Sequence, residues 1–245
     1  MKKISFLLAV ITMLAFVSCK KDSEPENPSY TCVACKTVPD ALAANNNSSK
    51  GIYKGVLIGS SGTIMFDIAN NGTTITAVMV IDGITVNLSS AVTWVAGQIY
   101  IGDFTGTLNG SPVTISFSVG SNGETPTVTS ANIPGHPNAV LTIIKETSTN
   151  LVECFEGTYT TSASEAGTFN LIILRTFGIF GGVARETGTT DTDEFDGTIT
   201  NNQLFLPVGS PGNVVQIGTL NIDQLNGSFV DTNGKTITIT GRRTL

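Results

Sequence analysis

The sequence predicts an all-β protein: two tandem antiparallel meander domains of about eight short strands each, built as small barrels or sandwiches, with one short helix before the first. Three observations carry this reading. The first is period-two alternation. Ile64, Phe66 and Ile68 alternate with Met65 and Asp67; Val113, Ile115, Phe117 and Val119 alternate with Thr114, Ser116 and Ser118; Ile237 and Ile239 alternate with Thr236, Thr238 and Thr240. Such runs place one face on a core and the other in water. The second is the turn dipeptides between runs, among them Asn71-Gly72, Asp82-Gly83, Asn109-Gly110, Asn122-Gly123, Asn226-Gly227 and Asn233-Gly234. These residues accept the positive φ of tight hairpins, so neighbouring strands run antiparallel. The third is an internal likeness that points to duplication. Gly51-Ile52-Tyr53 followed by Gly62-Thr63-Ile64 corresponds to Gly157-Thr158-Tyr159 followed by Gly167-Thr168-Phe169. Asp103-Phe104-Thr105-Gly106-Thr107-Leu108 corresponds to Glu194-Phe195-Asp196-Gly197-Thr198-Ile199. The two correspondences disagree in register, so either the first block carries an extra hairpin or the second match is chance.

Taken in order, residues 1–18 form a secretory signal: Lys2 and Lys3 precede an apolar run, Ile4 to Val17, broken only by Ser5 and Thr12. The run is shorter than the roughly 20 residues a spanning helix needs, and no stop-transfer pattern follows. Ser18 directly before Cys19, which ends the run, resembles the lipobox of bacterial lipoproteins, with Phe16 where that family usually has Leu. The resemblance covers about the first 22 residues. It implies that residues 1–18 are removed, that Cys19 carries lipid, and that the protein is exported to the outer membrane, facing the periplasm or the cell surface. Lys20-Lys21-Asp22 is similar to the export tract of some Gram-negative surface lipoproteins. Several acyl chains hold a protein firmly where one myristoyl-length chain holds it only marginally.

Residues 19–30 read as the lipidated Cys and a flexible tether, being charged, Pro-containing and without apolar periodicity. Residues 31–49 form a leader containing Cys32-Val33-Ala34-Cys35. Within it, Pro39-Asp40-Ala41-Leu42-Ala43-Ala44, ended by Asn45-Asn46-Asn47, suits one or two helical turns. The first β domain spans 50–146 and the second 151–245, divided where Thr147-Ser148-Thr149-Asn150 interrupts the strand pattern. A single sixteen-strand outer-membrane barrel fits less well. Most runs are shorter than the 9 to 11 residues of a spanning strand, and Trp94 is the one tryptophan.

Without residues 1–18 the chain holds 11 basic and 19 acidic residues, a formal charge of −8. So acidic a chain, with no basic patch beyond the isolated pairs Lys20-Lys21 and Arg242-Arg243, lacks the clustered cations that displace counterions from nucleic-acid phosphates. The remaining chemistry is sparse, and no cofactor is implied. Cys32, Cys35 and Cys154 favour a disulfide in an exported protein, with Cys32–Cys35 the local pair and Cys154 the alternative partner of either. A zinc site assembled from Cys32, Cys35, Cys154 and His136 would lack a second closely spaced ligand pair. His136, the only histidine, stands between Pro134-Gly135 and Pro137, which describes a rigid turn as well as an acid-base site. Asp191, Asp193, Glu194 and Asp196 are a weak calcium candidate, because Phe195 and Asp196 occupy positions where an EF-hand loop needs a ligand and a glycine.

These observations lead to three expectations. The first is a membrane-anchored, non-catalytic binding or structural module, with a glycan, a small apolar ligand or another envelope protein as partner. The second is a lipocalin-like carrier, which requires an apolar cavity of a few hundred Å3 inside a barrel. The third is an envelope hydrolase, which requires His136 or the Asp191 to Asp196 carboxylates to converge with other polar groups.

Overall fold

The computed structural model describes residues 30–245 except 60, 61 and 209–211; Cys19 and the expected signal segment lie outside the described residues. The first meander comprises β1 (Gly51–Ile58), β2 (Gly62–Ile68), β3 (Ile75–Ile81), β4 (Ile84–Ser89), β5 (Tyr100–Leu108), β6 (Ser111–Val119), β7 (Thr127–Asn132) and β8 (Val140–Lys145). The second comprises β9 (Glu153–Thr161), β10 (Ala166–Leu174), β11 (Ile179–Glu186), β12 (Asp193–Thr200), β13 (Gln203–Pro207), β14 (Val214–Asn221), β15 (Gln224–Val230) and β16 (Thr236–Arg243). Within each sheet every strand pairs antiparallel with its sequence neighbour, except that β7 and β8 are not ladder partners. In the first sheet β8 returns to pair with β1, giving a barrel open along one seam; in the second, β16 pairs with β9 and closes the barrel. Barrels rather than sandwiches result because each meander's last strand meets its first.

The correspondence of Tyr53 with Tyr159 and Ile64 with Phe169 falls on equivalent strands, β1 with β9 and β2 with β10. That of Asp103–Leu108 with Glu194–Ile199 sets the fifth strand of one sheet against the fourth of the other. Both sheets have eight strands, so an extra hairpin does not account for the mismatch.

The first barrel is filled. Phe66 stacks on Phe117 with ring centroids 4.5 Å apart, Phe104 meets Phe66 edge-on at 4.9 Å, and Tyr53 meets Phe117 at 5.3 Å. Ile64, Ile68, Met79, Ile81, Val113 and Ile115 complete a core with no exposed member. One end is plugged by the leader. Trp94 Nε1 donates to Ser49 Oγ at 2.8 Å, Tyr53 OH donates to Ser49 O at 2.9 Å, and Lys145 Nζ donates to the carbonyls of Asn45, Ser48 and Lys50.

The helix expected over Pro39–Ala44 is reduced to a single 3-10 turn, Ala43–Asn45. Its backbone donors are taken by distant partners: Asp40 N by Glu146 Oε1 at 2.7 Å, and Leu42 N by Asn70 Oδ1 at 3.1 Å. Leu42, which precedes the turn, is extended with ψ 140°, and no helical ring can run through it. A second 3-10 turn, Arg175–Phe177, joins β10 to β11.

β1 and β10 carry the contact between the barrels. Alternation predicts half-buried strands, yet all eight residues of β1 are buried. Tyr53 and Leu57 point into the first barrel, whereas Val56 packs with Val152, Cys154, Ile172 and Leu174 in a separate apolar cluster between the two. Asn170 of β10 donates across this seam to the carbonyl of Leu57, and Arg185 to that of Asn138. Lys54, 1% exposed, forms a 2.6 Å ion pair with Glu146, whose carboxylate also accepts the amides of Asp40 and Val152.

Cys154 lies free in this seam, and Cys32 is bonded to Cys35 with Cα atoms 5.3 Å apart. Burial pushes the Cys154 thiol up to about 12 from 9.0, against the opposing pull of Lys54 and Arg243. The unfolded thiol ionises first, so this contribution to stability is whole below pH 9 and is lost as pH rises from 9 towards 12. The fall in unfolding free energy between pH 8 and pH 11 is therefore expected to shrink by about 3 kcal/mol in Cys154→Val. Urea denaturation of both proteins at the two pH values checks it.

The disulfide loop is tied to the second barrel. Cys32 N donates to Asp223 Oδ2 at 2.9 Å, Tyr30 OH to Arg243 O at 3.0 Å, and Arg243 Nη2 to Lys36 O at 2.6 Å. Residues 30–50 thus run as a strap from the base of the second barrel to the plugged end of the first.

Candidate functional site

The second barrel is hollow where the first is filled. An open cavity of about 480 Å3 enters it from the end formed by the β9–β10, β11–β12, β13–β14 and β15–β16 connections. Its wall is apolar: Tyr159 on β9, Phe169 and Leu171 on β10, Ala184 on β11, Phe195 on β12, Leu206 on β13, Ile217 on β14, Phe229 on β15, and Ile237 and Ile239 on β16. Beneath it Phe155, Ile173, Phe180, Leu204 and Leu225 close the barrel as an ordinary core.

Bare backbone beside the rings explains how an aromatic-rich barrel stays hollow. A Cβ at Gly182 would stand 2.6 Å from the Phe195 ring, one at Gly197 2.7 Å from the Phe180 ring, and one at Gly241 3.1 Å from the Phe169 ring; one at Gly157 would also strike Phe169. The rings therefore lie against glycine on the wall instead of crossing the lumen. In the first barrel Phe66, Phe104 and Phe117 meet one another at the centre.

The mouth is polar. Thr161, Glu165, Glu186, Asp193, Asp231 and Lys235 line it. Glu165 accepts from Lys235 at 2.5 Å. Glu165 is held below the ordinary carboxylate range by the Lys235 and Thr161 hydrogen bonds, and Lys235 is raised by its bond to Glu165. Asp231 accepts the amides of Asn233 and Lys235 within its own turn. No ion pair engages Glu186, Asp193 or Asp231 among the described residues. The phenol of Tyr159 is raised by burial and further by Glu186, Asp193 and Glu165.

The four carboxylates considered for calcium are not brought together. Only Asp191 and Thr192 lie in the connection; Asp193 begins β12, a strand and not a loop. Successive residues of a strand face opposite sides, so Asp193 and Phe195 line the cavity while Glu194 and Asp196 lie on the outer face. Among the described residues no three His, Cys, Asp or Glu side chains are placed to hold a metal. The zinc set is dispersed as well: Cys32 and Cys35 are bonded to each other, Cys154 lies in the seam, and His136 lies in the β7–β8 connection. His136 Nε2 stands 3.5 Å from Asp82 Oδ2, and its backbone amide donates to Ile133 O. His136 and Asp193, the one carboxylate of 191–196 in the cavity lining, face different depressions and do not converge.

The cavity residues were open to sequence reasoning only in part. Inward positions Gly157, Gly182 and Gly197 recur at spacings that leave room for rings, but glycine in a strand also signals a bulge or bend. No family model, no curated protein and no solved structure matches the chain.

Proposed function

We propose that the chain is a lipid-anchored envelope protein of non-catalytic type whose second barrel binds a small, largely apolar molecule, with the first barrel as its rigid support. The observation that carries this reading is the contrast between the barrels: one filled by stacked aromatic rings and plugged by the leader, the other open at one end to an apolar cavity of about 480 Å3. That volume lies within the 300 to 1,000 Å3 range of small-molecule sites. The strap over residues 30–50 engages the base of the second barrel, through Tyr30 and Cys32, and leaves the mouth uncovered. The anchor rests on the Ser18-Cys19 pattern.

Ala184 stands on the cavity wall, and an indole there would occupy the lumen. Ala184→Trp is expected to reduce the affinity of a fluorescent apolar probe at least tenfold, whereas Leu88→Met in the filled barrel leaves it unchanged. Equal probe binding by Ala184→Trp and the unaltered protein would exclude the cavity as the site. For the address, Cys19→Ala is expected to abolish acyl labelling and release the protein from membranes; a labelled Cys19→Ala protein would overturn the anchor.

A further inference from the structure

The cavity mouth has a charge pattern that its apolar wall does not require. Of the five charged side chains lining it, Lys235 is the only cation, and Glu165 already neutralises it at 2.5 Å. Glu186 ends β11 and Asp193 begins β12 beside it, so two carboxylates from neighbouring strands stand at one rim, with Asp231 across the opening on the β15–β16 turn. Alternation turns Arg185, next to Glu186, to the outer face, where it donates to Asn138 O at the barrel seam. The described residues of the rim therefore supply no second cation. Just inside the rim stand Tyr159, Phe195 and Phe229, aromatic faces of the kind that attract an ammonium group.

We infer that the ligand of this cavity is an apolar amine: a hydrocarbon or aromatic body held by the barrel wall, and a protonated nitrogen held at the rim by Glu186 and Asp193. The inference rests on the reading of the cavity as a binding site and adds the ligand's charge. A neutral ligand would leave Glu186 and Asp193 at the rim without an ion-pair partner, since Lys235 is bonded to Glu165, and an anionic one would face repulsion from both. The Tyr159 phenol, raised by burial and then by Glu186, Asp193 and Glu165, registers the same negative field inside the mouth.

Three rigid, water-soluble probes of one shape separate charge from shape: 1-aminoadamantane, 1-adamantanol and 1-adamantanecarboxylate. Isothermal titration calorimetry on the full exported chain in lipid nanodiscs, with empty nanodiscs as the blank, gives each affinity. The amine is expected to bind at least tenfold more tightly than the alcohol, and the carboxylate most weakly. The amine's advantage falls with added salt. In Glu186→Gln/Asp193→Asn the advantage drops below threefold while the alcohol binds as before, which also shows that the variant is folded. Equal binding of amine and alcohol, tightest binding of the carboxylate, or a preference that survives the double substitution overturns the inference and leaves the cavity reading standing. Binding of none of the three by the unaltered protein overturns both.

Discussion

Replacing Lys54 with Met lowers the unfolding free energy by about 3–5 kcal/mol, the cost of leaving a buried carboxylate without its cation. Glu146 is fully buried and accepts three donors: Lys54 Nζ at 2.6 Å, Asp40 N at 2.7 Å and Val152 N at 3.1 Å. These come from the first barrel, the leader strap and the entry to the second barrel, so one carboxylate joins three parts of the chain. Methionine fills the space of the lysine stem but supplies no charge. Lys54→Met combined with Glu146→Gln removes the stranded charge, and the double variant is expected to be less unstable than the sum of the single ones. A double-mutant cycle from urea denaturation measures this. Strict additivity would mean that the pair does not act as a unit.

Phe66→Ala is expected to cost about 3–5 kcal/mol, and Leu206→Ala only about 1 kcal/mol, although both residues point into a barrel. Phe66 is 0% exposed and touches two rings, at 4.5 and 4.9 Å, so its loss opens a sealed void. Leu206 already borders the cavity, and truncating it enlarges a space that is open to water. Thermal or urea unfolding of the two variants distinguishes them. Equal costs would mean that the second barrel is packed as tightly as the first.

Much of the fold was legible along the chain because it depends on local rules. Alternation at Ile64-Met65-Phe66-Asp67-Ile68 satisfies both faces as a strand, and Asn-Gly pairs such as Asn109-Gly110 favour tight turns, so strand count and antiparallel order followed from neighbours a few residues apart; Asn226-Gly227 is the exception, paired within β15 against Thr240 and Ile239 instead of turning. The second buried face of β1 and β10 escaped the alternation rule, although the unbroken runs Val56-Leu57-Ile58 and Leu171-Ile172-Ile173-Leu174 carry its signal. Such runs mark strands covered on both sides. The short helix is a single 3-10 turn because Leu42 is held extended, with its amide bonded to Asn70, 28 residues away. The carboxylates at 191–196 were misjudged because a strand, unlike a loop, sends successive side chains to opposite faces.

The candidate site shows the same division. Local composition shows an acidic chain and β-forming runs rich in glycine; these are properties of short windows, and they stand in the sequence alone. Whether a barrel is full or hollow is a sum over eight strands brought side by side. It depends on whether Phe169, Phe180 and Phe195 find glycine across the ladder to lie against, and on which turns share one rim. Closure of β16 on β9 gathers Glu186, Asp193 and Asp231 from three places in the chain into one mouth. That gathering belongs to the tertiary structure, because no local rule relates residues on strands that meet only when the sheet closes.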